Sequence, residues 1–143
     1  MAPTLETCLI EYCAPTLAGV KIASLFRHIP KDGEDVSAAL ADWDSRLACR
    51  GVRLTELRRS KIGCLIYVFR PAAVLSTLRE ENVRAFLCES GYRGCRELGD
   101  YLGVLRGRLE TGSEFPHEIG LFLGYPLADV VGFIENKGKN FLL

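Results

Sequence analysis

Hydrophobic positions along this chain change rhythm several times, and each change marks an element. Leu5, Cys8, Leu9 and Tyr12 recur at helical spacing behind Thr4, a capping side chain, so residues 4–13 are expected to form a short helix. Pro15 and Gly19 then break the pattern. Residues 20–29 read as a strand that stops before Pro30, and residues 31–34, Lys-Asp-Gly-Glu, as a turn. Val36, Leu40, Trp43 and Leu47 form the inward stripe of a helix running to about Arg50, capped by Asp35 and ended by Gly51.

Residues 52–57 alternate and predict a second strand, followed by a turn at Arg58-Arg59-Ser60-Lys61. Residues 62–69 are continuously apolar, rich in β-branched and aromatic side chains, and predict a strand buried on both faces. Two such runs joined by a short polar loop favour an antiparallel hairpin. From Pro71 to about Leu87 the spacing is helical, with Val74, Leu75, Leu78, Val83, Phe86 and Leu87 inside and a break near residues 80–82. Gly91 and Gly94 mark a loop. Leu98, Leu102, Leu105 and Leu109 then predict a helix from Arg96 to about Leu109, and Thr111-Gly112-Ser113 is a linker.

Residues 115–139, FPHEIGLFLGYPLADVVGFIENKGK, carry the densest structural instructions. Pro116 suits a first helical position, and Glu118 lies in that first turn against the helix dipole. Gly124 is suited to end the helix in the left-handed conformation, and Pro126 to start another. Leu127, Val130, Val131 and Ile134 form one buried stripe, and Gly138, between Lys137 and Lys139, is the expected stop. The order of elements predicts one α+β domain over residues 1–143. Its small, mainly antiparallel sheet of about three strands is covered by helices, and its helical carboxy-terminal part ends in a helix-turn-helix-like hairpin.

HEIGLFLGYP followed by DVVGFIENKG looks like an uncharacterised bacterial family, common in clostridia and their relatives and known only as a domain of unknown function. CAPTLAG at residues 13–19 and YVFRP at residues 67–71 match it too, so the resemblance covers essentially the whole chain. It implies no activity, substrate or cofactor. Similar proteins run on into a segment with a Cys and a Gly-Tyr-Trp-Lys, so a further segment is expected after Leu143.

Eighteen basic and eighteen acidic side chains cancel, which argues against bulk attraction to nucleic acid or anionic membrane. Apolar runs all fall short of the roughly 18 residues that span a bilayer, and the amino terminus lacks the basic and apolar regions of a secretory signal. A cytoplasmic location is therefore expected, and with it six cysteines as thiols, mostly small buried hydrophobes. They include no CxxC pair and no zinc-finger spacing.

Two constellations carry candidate chemistry. His117 and Glu118 offer an acid/base pair or metal ligands at a helix start; the bland alternative is a loop-bonded His beside a capping carboxylate. Cys13 stands where a helix gives way to a Pro- and Gly-containing loop, a place for an accessible thiol with Lys21 near in sequence, but a buried structural thiol is the favoured reading because free cysteines are so often buried. The basic run Arg50, Arg53, Arg58, Arg59 and Lys61 lacks an RNA-binding aromatic signature and reads as a charged strand edge.

The leading expectation is a non-catalytic binding or adaptor module with a protein partner. Its surface is formed by the carboxy-terminal hairpin, with Tyr125 and Asp129, and by the 13–19 loop with Thr16. The alternative is a thiol-dependent redox or metal-handling protein using Cys13 with His117 and Glu118. A DNA-binding helix-turn-helix comes third, because residues 126–132 supply no side chain for bidentate base contact and Asp129 repels phosphate. Whether the protein is an enzyme, what cofactor it uses and how many copies assemble are not specified by the sequence.

Overall fold

The computed structural model describes residues 4–111 and 116–136, with Phe133, Glu135 and Asn136 as backbone only. The chain divides into two compact units, Met1–Val74 and Leu75–Leu143. The architecture is α+β: one three-stranded antiparallel sheet and, among the described residues, seven α-helices.

The first unit opens with α1 (Leu5–Leu17), whose cap Thr4 accepts the Thr7 N–H. The helix runs four residues past the expected end, with Pro15 in its last turn. That proline forfeits one helical hydrogen bond, but the chain beyond compensates: the Val20 and Lys21 N–H groups both donate to the Pro15 carbonyl. Gly19, at φ +81°, makes this closure possible. Because Val20 and Lys21 are thus engaged, β1 starts late, at Ala23, and spans Ala23–His28.

Helix α2 (Val36–Ala48) is capped by Asp35, which accepts the Ala38 N–H, and closes at Gly51 with φ +77°. Strand β2 (Arg53–Ser60) is longer than expected. A bulge between Glu56 and Arg58 absorbs Leu57, so the anticipated turn residues Arg58 to Ser60 continue the ladder. The real turn is Lys61-Ile62, entered from Ser60 and left through Gly63 at φ +135°. Strand β3 (Gly63–Phe69) is central, in the order β1-β3-β2, antiparallel to both neighbours. Cys64, Ile66 and Val68 join Phe26 and Leu54 in a core with Leu5, Cys8, Leu9 and Cys13 of α1 and Val36 and Leu40 of α2. Tyr67 and Phe69, on the other face of β3, are also buried and stack at 4.6 Å, so the expected two-sided burial is met.

Arg70 follows β3 directly and ties two helix ends together. Its Nε and Nη2 donate to the carbonyls of Thr16 and Leu17 at 3.0 and 2.9 Å, and its Nη1 donates to Arg50 O at 3.2 Å. Cations are favoured at such negative helix ends. A Cβ on Gly19 or Gly51 would lie 3.7 Å from the guanidinium, so both closing glycines border one side chain. CAPTLAG and YVFRP are in this respect two halves of one contact.

Helix α3 (Pro71–Leu78) leads out of the first unit, and the expected break falls before α4 (Glu81–Leu87). A wide π turn, Cys88–Tyr92, replaces the predicted loop and is bent by Gly91 at φ +107°. Helix α5 (Leu98–Thr111) starts two residues later than expected because Asp100 takes the Arg96 and Glu97 N–H groups. It buries Leu102, Leu105 and Leu109 as predicted, together with Tyr101. Of the anticipated linker, Thr111 is helical; Gly112 and Ser113 lie outside the described residues.

Helix α6 (Ile119–Phe122) is only one turn, and α7 (Leu127–Asn136) follows after Gly124, which ends α6 at φ +94°. Pro126 initiates α7 as expected, its carbonyl accepting from Asp129 and Val130. Val130 is buried and meets Gly120 so closely that a Cβ there would stand 3.0 Å from Val130 Cγ2. Ile134 departs from the predicted stripe and is 37% exposed. Lys137, Gly138 and Lys139 lie outside the described residues.

Candidate functional site

In the first unit, Cys13 occupies the core side of α1 and is fully buried, not an accessible loop thiol. Burial pushes its pKa up to about 12, outweighing the Ser24 hydrogen bond and the weaker pull of Lys21. This opposes the thiolate that nucleophilic or redox chemistry requires. Thr16 is likewise buried, its hydroxyl sharing a 2.6 Å hydrogen bond with Ser24 of β1. The helical periodicity was broken too early by Pro15, and that placed residues 13–17 in a loop. Outward from this closure project Lys21 and Val20, the latter 80% exposed.

A second polar group, absent from the sequence-based candidates, lies in the same unit. His28, buried at the end of β1, has Nε2 2.9 Å from Glu34 Oε2 and Nδ1 4.0 Å from the Cys8 Sγ. Glu34 Oε1 also accepts the Lys31 N–H at 2.9 Å, folding residues 29–35 back over the strand end. Burial by itself would raise the Glu34 pKa, yet the Lys31 N–H and His28 prevail and hold it low. Burial raises the Cys8 thiol, with Glu11 and Glu34 adding to it. An open cleft of about 530 Å³ adjoins Glu34 and is bordered by Asp35, Arg59, Ser60 and Cys64. The alternation that buries His28 beside Phe26 was a signal in the sequence; its pairing with Glu34 was not.

In the second unit, Glu118 is buried, and its carboxylate is shared between two side chains instead of facing the helix end. Tyr92 donates its hydroxyl to Oε2 at 2.9 Å, and Arg108 of α5 forms a fork, Nε to Oε2 and Nη2 to Oε1 at 3.3 Å. Burial, the Glu118 charge and its hydrogen bond all raise the Tyr92 pKa, so the phenol stays a donor. This arrangement anchors α6 to α5 and the π turn. His117, beside Glu118, is half-buried. Cys13 belongs to the first unit and His117 to the second.

Tyr125 and Asp129 are exposed at the turn of the hairpin. Tyr125 is 53% exposed although its N–H is tied to Gly120 O at 3.0 Å and it stands between Gly124 and Pro126. Its backbone is therefore fixed while much of its ring faces solvent. Among the described residues, no group of three or more His, Cys, Asp or Glu is placed to hold a metal ion. Among them too, no helix is long and apolar enough to cross a membrane.

The chain belongs to a protein family of unknown function, DUF3793, whose model matches residues 9–143. Neither a curated protein nor a solved structure matches it.

Proposed function

We propose that this member of the family is a non-catalytic binding module that engages a protein partner through apolar side chains held out on rigid turns. The observation that carries this reading is Tyr125, an aromatic ring 53% exposed on a backbone fixed by Gly124, Pro126 and a hydrogen bond to Gly120. Rigid aromatic side chains lose little entropy on binding and are enriched among interface hot spots. Val20 has the same character beside the Gly19 closure of α1. The groups that sequence patterns offered for chemistry are engaged in structure: Cys13 in the core, Glu118 with Arg108 and Tyr92. The exposed start of α7, Ala128 and Asp129, gives DNA no base-reading contact.

Affinity capture from the native host tests this with wild-type protein, Tyr125→Ser and Val20→Ser. The expected result is a stoichiometric partner held by wild type and lost by Tyr125→Ser at unchanged thermal stability. Identical capture by all three proteins overturns it.

A second reading, thiol-dependent chemistry, is favoured by the line of Cys8, His28 and Glu34 in place of Cys13 with His117 and Glu118. It requires Cys8 to be alkylated by iodoacetamide at neutral pH faster than the exposed Cys49. Slower reaction removes it.

A further inference from the structure

The two edges of the sheet are treated differently. β2 is defended: it carries a bulge between Glu56 and Arg58 and three arginines, of which Arg53 is anchored on Asp44 and Arg59 on Glu56 and Ser37. Bulges and charges are the usual means by which an edge strand is kept from pairing with another chain. β1 is unbulged against β3 and carries one exposed charge, Arg27; among the described residues no strand pairs with its outer edge.

Side chains of β1 alternate in character. Ser24, Phe26 and His28 point toward α1, where Tyr12 stacks on Phe26 at 6.0 Å and still leaves half its surface open. Arg27 points to the opposite face and is exposed. Val20 and Ile29, just beyond the two ends of β1, are 80% and 62% exposed. Residues 21–31, KIASLFRHIPK, contain three cations and no carboxylate, in a chain whose net charge is zero. The unpaired edge thus presents the half-exposed Tyr12 ring over Phe26 on the α1 side, and the Arg27 cation beside Ala23 and Leu25 on the other.

We propose that the outer edge of β1 takes up an extended segment of a partner protein, alternating apolar and acidic side chains, as a fourth strand of the sheet. The backbone ladder supplies attachment, and the two faces supply selection. Apolar side chains of the added strand lie on the α1 side near Tyr12, and acidic ones lie beside Arg27, flanked by Lys21 and Lys31. The proposal rests on the reading of the protein as a binding module and names the chemistry of what it binds.

The test uses the full chain and a fluorescein-labelled peptide of alternating Val and Glu, about ten residues long, a little more than one strand. Fluorescence anisotropy is expected to show saturable binding, weakened about tenfold by Arg27→Glu and less by Arg27→Gln, at unchanged thermal midpoint. N-methylation of alternate peptide nitrogens in one register should abolish binding, while the other register tolerates it. A Val–Lys peptide should not bind. Absence of saturable binding overturns the proposal, as does equal binding of both N-methylated peptides. A wild-type dimer by sedimentation that Arg27→Glu converts to monomers also overturns it, because a second copy then occupies the edge. A captured partner that depends on Tyr125 while the peptide fails to bind would sink the strand proposal and leave the binding-module reading intact. Peptide binding with no Tyr125-dependent partner would do the reverse to the hairpin.

Discussion

The two units secure their turns with the same kind of side chain used in opposite ways. In the first, Arg70 reaches backbone carbonyls at the ends of α1 and α2. In the second, Arg108 neutralises the buried carboxylate of Glu118. Of the carbonyls left without Arg70, that of the exposed Arg50 can still find water, and those of buried Thr16 and half-buried Leu17 are neutral acceptors that leave no charge unpaired. A buried carboxylate left without its cation has no comparable alternative beyond Tyr92. Arg70 makes three hydrogen bonds and Arg108 two, yet the dependence on the arginine is expected to be greater in the second unit.

Arg108→Ala breaks this comparison most severely. Losing one partner of a buried pair costs several kcal/mol, and because Arg108 is 42% exposed the expected loss is about 2–3 kcal/mol. Urea denaturation followed by far-ultraviolet circular dichroism measures it. Replacing both partners, Arg108→Met with Glu118→Leu, should recover most of the loss; no recovery would show that the charge pair itself was not the issue.

Gly124→Val comes next, at about 1–3 kcal/mol, because a β-branched residue is forced to φ +94° where α6 ends. Unchanged thermal stability would mean that the turn tolerates another geometry. Arg70→Ala should cost less, about 1–2 kcal/mol, read from the fluorescence of Trp43, which lies in the first unit. A loss as large as that of Arg108→Ala would erase the proposed difference between backbone and carboxylate acceptors.

The smallest effect is in the pH dependence of the first unit. The Arg53 hydrogen bond, with help from the Leu54 N–H, holds Asp44 below its ordinary 3.8 despite partial burial. The unfolded chain then binds that proton more readily, so this stabilisation is fully present above 3.8 and is lost as pH falls through the lowered folded value. Asp44→Asn should cost under about 1 kcal/mol at neutral pH and flatten the acid limb of a melting-temperature profile. An unaltered limb would assign the acid response to other carboxylates, with Glu34 the next to test.

Elements whose instructions are local were legible in the sequence. Thr4 and Asp35 cap helices, Gly51 and Gly124 end them, and Pro126 starts one, each by chemistry confined to a few neighbouring residues. The failures share a cause. α1 outlasts Pro15 with the help of Arg70, whose partners Thr16 and Leu17 lie 54 and 53 positions away. Glu118 looked like a capping carboxylate because Tyr92, 26 positions back, and Arg108 cannot be foreseen from helix rules. Cys13 was misplaced with the end of its helix. Tyr125 and Asp129, by contrast, stand at a turn whose geometry is written within five residues, and both are exposed.

The central position of β3 also sets an order of events during synthesis. Both β1 and β2 pair with β3, so neither strand has its ladder until residues 63–69 have left the ribosome. Arg70, the next residue, then caps the two helices made earlier. Chains cut before this point contain α1, β1, α2 and β2 but not the strand that joins them. Growth beyond it supplies the missing partner and the helix cap together, so assembly of the first unit is concentrated into the emergence of about one strand's length of polypeptide.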